Sequence, residues 1–81
     1  MRAELDARRL GTRDEAQEYL QEMLELPEHY GKNLDALHDC LTEARDLTVL
    51  FTNQEQAGAY FKKVYRVFAD AAKENPELKI I

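Results

Sequence analysis

The stretch that most limits what this chain can fold into is Leu47 to Thr52, where Val49-Leu50-Phe51 is an apolar run as long as any in the sequence. It is far short of the ~20 apolar residues that a membrane span needs. With helical periodicity on either side, it reads as a strand buried on both faces, as in a parallel sheet. A parallel sheet requires crossover connections, and helices are the usual ones.

The flanking sequence supplies them. Gly11-Thr12 opens a first helix, in which Thr12 and Glu15 have the spacing of a capping box. Ala16, Tyr19, Leu20, Met23 and Leu24 follow as one apolar stripe, and Pro27 is expected to stop the helix. Asn33 is the expected N-cap of a second helix, behind Gly31, which permits a tight or left-handed turn. Leu34, Leu37, Cys40, Leu41 and Ala44 fall on one side of it. Asp35, Asp39, Thr42 and Asp46 fall on the other, with His38 on the flank of the acidic side. Asn53, with Gln56 three residues on, is expected to cap a third helix striped by Ala57, Tyr60, Phe61, Val64, Phe68, Ala71 and Ala72. Gly58 weakens its first turn, and Asn75-Pro76 ends it. Met1 to Asp6, with Ala3 and Leu5 on one face, and Leu78 to Ile81 are the expected end strands.

The order strand, helix, helix, strand, helix, strand predicts an α/β domain with a small three-stranded parallel sheet and right-handed crossovers. Residues 1–81 are expected to form a single domain. A chain this short buries only roughly 60–65% of its unfolded surface, enough for one core but not for a deep catalytic cavity.

Charge is distributed unevenly. Residues 14–46 hold ten acidic residues against two basic ones, a net −8, whereas the remainder carries +3. A directional field of this kind attracts a cationic partner and repels phosphates, so direct nucleic-acid binding is not expected. A solvated acidic surface kept for solubility is the plainer reading of the same charges. A single cysteine forms no internal disulfide, and no apolar stretch follows the early arginine, so a cytoplasmic protein without a membrane span is expected.

Asp35 lies in the first turn of its helix, where the macrodipole favours a carboxylate by ~0.3–1 kcal/mol. Asp39 lies beyond that help, and like charges at i, i+4 repel. A partner that neutralises both explains the pair better than folding does. Asp35, His38 and Asp39 also have a spacing that could hold a divalent metal or form a base–orienter pair. No zinc, nucleophile-elbow or phosphate-loop motif accompanies them. Cys40, the nearest nucleophile candidate, points towards the core. Neither an enzyme, a cofactor nor a metal site is expected.

The segment LPEHYGKNLDALHDCL, Leu26 to Leu41, closely resembles the signature segment of the barstar family, intracellular inhibitors of secreted bacterial ribonucleases such as barnase. The Leu-Pro corner, the TVLF strand, the RVFADA helix and the KII terminal strand extend the resemblance over essentially the whole chain. The resemblance implies a parallel three-stranded sheet packed by three to four helices. It implies a one-to-one complex in which the second helix and the loop before it plug the active site of a basic ribonuclease. Asp35 and Asp39 would be the anchors, Gly31, Asn33 and Leu34 loop contacts, and Asp70 a peripheral charge contact. His29 and His38 stand where the family often has tyrosine and tryptophan, which makes the expected interface smaller, more polar and pH-sensitive. The segment between Phe51 and Val64 is shorter than in the family's best-known member, so a reduced helix after the second strand is expected. The alternative is that the same acidic face neutralises a different basic partner or toxin.

Overall fold

The computed structural model describes residues 1–81. Leu47–Thr52 forms β2, the central strand of a three-stranded parallel sheet. β1, Arg2–Asp6, pairs with it from Arg2 opposite Thr48 to Asp6 opposite Thr52. β3, Leu78–Ile80, lies on the other edge, with Leu78 opposite Leu47. Two helices, α1 (Arg13–Met23) and α2 (Leu34–Thr42), connect β1 to β2, and α3 (Ala59–Glu74) connects β2 to β3. Short 3-10 turns follow β1 at Ala7–Leu10 and β2 at Gln54–Gln56. This is the expected α/β order, and the three-residue turn at Gln54–Gln56 is the reduced helix expected after the second strand.

β2 is not buried on both faces. Leu47, Val49 and Phe51 are buried, whereas Thr48, Leu50 and Thr52 are only half covered. The buried set joins Ala3, Leu5 and Leu78 of the neighbouring strands and the apolar stripes of all three helices in one core. The opposite sheet face carries Arg2, Glu4, Thr48, Leu50 and Lys79, none of them buried. A short domain has no helix left to cover it, so the sheet alternates apolar and polar like a half-solvated one.

The helix boundaries differ from the expected ones for identifiable reasons. The Thr12 side chain makes no capping bond, and Glu15 instead accepts from Arg9 Nε at 2.9 Å. α1 stops at Met23, four residues before Pro27. Glu25 adopts a left-handed conformation (φ 54°), and the Leu26 and Glu25 amides donate back to the Gln21 and Glu22 carbonyls at 3.0 and 3.3 Å. That is a Schellman closure with glutamate in the place where glycine is usual. α2 ends at Thr42, so Ala44 and Asp46 lie beyond it. Asn53 caps no helix: it is left-handed (φ 56°), and its amide donates to Asp6 at 3.2 Å. α3 begins instead after Gly58, which lies so near Gly11 that an added Cβ would meet the Gly11 Cα at 3.0 Å.

Candidate functional site: the outer face of α2

α2 is held at both ends. Asn33 caps its N-terminus as expected, with its side-chain oxygen accepting from the Ala36 amide at 2.7 Å and its side-chain nitrogen donating to the Gly31 carbonyl at 3.2 Å. Its C-terminus is closed from outside the helix by Asn75, which is buried and donates to the Leu41 and Ala44 carbonyls at 2.9 and 2.8 Å. Its own oxygen accepts from the Glu77 amide at 3.0 Å. One side chain thus joins the ends of α2 and α3 to the start of β3.

The loop leading into α2 is fixed from beneath. Tyr30 is buried, and its hydroxyl donates to the side-chain oxygen of Gln17. Gln17, at 1% exposure, donates in turn to the Tyr60 hydroxyl at 2.9 Å. Burial pushes the Tyr30 phenol well above its ordinary range, helped by the neighbouring Cys40 and Tyr60. Gly31 is not left-handed. That conformation falls on Lys32 (φ 52°), which pairs with Glu18 at 2.6 Å. A Cβ at position 31 would stand 3.3 Å from the Ala36 Cβ, so glycine serves close approach to α2 rather than an unusual dihedral.

On this rigid base Asp35 and Asp39 stand exposed, one turn apart, and neither is in an ion pair. His29 and Gly31 are exposed on the loop, and Leu34 is half-buried against the core. Asn33 is placed beside them, but its side chain is consumed by the cap. His38 sits on the flank facing α3, with Nε2 3.0 Å from the Glu74 carboxylate. Asp70 is exposed one turn before Glu74, so the two carboxylates follow one another along α3.

No three His, Cys, Asp or Glu side chains stand close enough to hold a metal ion, and the spacing of Asp35, His38 and Asp39 does not gather into such a cluster. Cys40 is half-buried, and burial, with Glu43 and Asp39 nearby, pushes its thiol up and away from the thiolate. What the face offers is unpaired carboxylates on a fixed helix, which suits charge-assisted hydrogen bonding to a cationic surface.

Gln17, Asn75 and Glu74 were not among the expected site residues. Gln17 carried a signal: it lies three residues before Leu20 and seven before Leu24, on the apolar stripe. A polar side chain there needs a buried partner, and two tyrosine hydroxyls need one as well. Glu74 carried none, because its meeting with His38 depends on how α2 lies against α3.

No helix is long and apolar enough to cross a membrane. The family model described as Barstar (barnase inhibitor) matches residues 1–80. A Bacillus subtilis (strain 168) protein carrying the name "Putative ribonuclease inhibitor YrdF" is 42% identical over 69 residues, covering 76% of each chain. With the parallel three-stranded sheet and the acidic second helix in place, the chain belongs to the barstar family of barnase inhibitors.

Proposed function

We propose that the outer face of α2 and the loop before it block the active site of a barnase-type ribonuclease in a one-to-one complex, inside the cell that makes both. An enzyme that cleaves RNA surrounds the scissile phosphate with arginine, lysine or protonated histidine to stabilise developing negative charge. A carboxylate fixed on a helix takes the place of that phosphate among cations already arranged for catalysis, so little reorganisation opposes binding. Asp39 is the phosphate mimic, with Asp35 and Asp70 adding charge contacts. His29, Gly31, Asn33, Leu34 and His38 form the surrounding contact surface, and Glu74 joins them through His38. The chain acts by occlusion and not as an enzyme.

The observation that carries this reading is the exposed, unpaired Asp35–Asp39 pair on a helix clamped at both ends. The test is titration of the protein into barnase-catalysed RNA cleavage at low salt. A sharp equimolar endpoint supports it. Asp39→Ala is expected to weaken inhibition by ~3–5 kcal/mol, more than a hundredfold, because it strands desolvated cations in the enzyme. The melting temperature should stay close to that of the unaltered chain, since the Asp39 side chain is exposed and is in no ion pair within the fold. A large loss of stability would make Asp39 structural. No inhibition by a folded chain would assign the face to a different basic protein.

A further inference from the structure

Asp35 has neighbours that a purely basic partner would not welcome. Arg13, the first residue of α1, and Lys63 of α3 line the same shallow cleft of about 250 Å³, with Asn33, Leu34 and Tyr60 as its remaining walls. Asp35, Arg13 and Lys63 are all exposed. None is in an ion pair, because the pairs of this chain are Asp6–Arg8, Glu15–Arg9, Glu18–Lys32 and Glu74–His38. One carboxylate and two cations therefore surround a single hollow without meeting one another at contact distance.

A partner offering only cations would gain from Asp35 and lose against Arg13 and Lys63, since like charges brought together across an interface oppose binding. The hollow is complementary to a surface on which a cation and a carboxylate stand side by side. We propose that the partner presents such a pair here, with an Arg or Lys towards Asp35 and an Asp or Glu towards Lys63 and Arg13. The proposal rests on the reading of α2 as a ribonuclease-docking face and names what else the docked protein carries. Arg13 and Lys63 are thereby specificity determinants. A chain of net charge −5 with bare carboxylates attracts basic proteins in general, and two cations beside Asp35 reject those whose surface is uniformly positive.

The test is calorimetric titration of barnase, without RNA, with the full chain and with Lys63→Gln, Arg13→Gln and Arg66→Gln. Each variant removes one positive charge from an exposed helical position. Arg66 lies on α3 but outside the cleft, so it reports the change in overall field alone. Lys63→Gln and Arg13→Gln are expected to bind about two- to fivefold more weakly than Arg66→Gln, the range of an exposed charge pair. Lys63→Glu should be weaker again. Equal or tighter binding by Lys63→Gln and Arg13→Gln overturns the proposal while leaving the docking reading, which Asp39→Ala tests separately. Loss confined to assays containing RNA would place a phosphate in the cleft and also overturn it. No binding by the unaltered chain overturns both.

Discussion

Tyr30 and His29 are adjacent in the loop and do opposite things. Tyr30→Phe leaves the Gln17 side-chain oxygen without its donor in a buried site, which costs ~1–3 kcal/mol and should appear as a lower urea midpoint. His29 is exposed and bonded to nothing in the chain, so His29→Gln should leave the urea midpoint close to unchanged. At this scale the exposed Asp35–Asp39 pair was legible, because carboxylates at i, i+4 need only a helical wheel to be placed. The hydrogen bonds beneath them were not, since Gln17, Tyr30 and Tyr60 come from three separate elements and their meeting depends on tertiary geometry.

Helices here end where their termini find partners, and those partners are often distant in sequence. Asn75 is the strongest case: Asn75→Ala removes donors from the Leu41 and Ala44 carbonyls and the acceptor of the Glu77 amide. A loss of ~1–3 kcal/mol in chemical denaturation is expected, with hydrogen exchange rising first in the last turn of α2. Local signals located the elements but not their ends. Asn33 caps α2 as its sequence position implies, because a cap is a contact within three residues. Thr12–Glu15 and Asn53–Gln56 have the same local logic and failed, because Arg9 takes Glu15 and Asp6 takes Asn53. Pro27 carries the local signal of a stop, but a left-handed Glu25 ends the helix before it.

For the whole molecule, the parallel sheet was legible because a strand order interrupted by helices admits few alternatives, whereas its uncovered face was not, since an apolar run of three residues is the same in a two-layer and a three-layer fold. The polar edge of that sheet bears on acid stability. Asp6 binds the Arg8 guanidinium and amide and receives Asn53, and Arg8 holds its carboxyl far below the usual aspartate range. A carboxyl depressed by folding stabilises the native state above the ordinary aspartate range near pH ~3.9, and that contribution is lost as pH falls. The melting-temperature gap between the unaltered chain and Asp6→Asn is accordingly expected to be present at pH 7 and to shrink between pH 5 and pH 2. The anchors Tyr30, Gln17 and Asn75 are buried, while His29, Asp35, Asp39 and Asp70 are exposed and are in no ion pair. Such a division lets the outward residues change with a changing partner at little risk to folding, so relatives of this chain are expected to vary on the outer face and to hold the layer below it nearly constant.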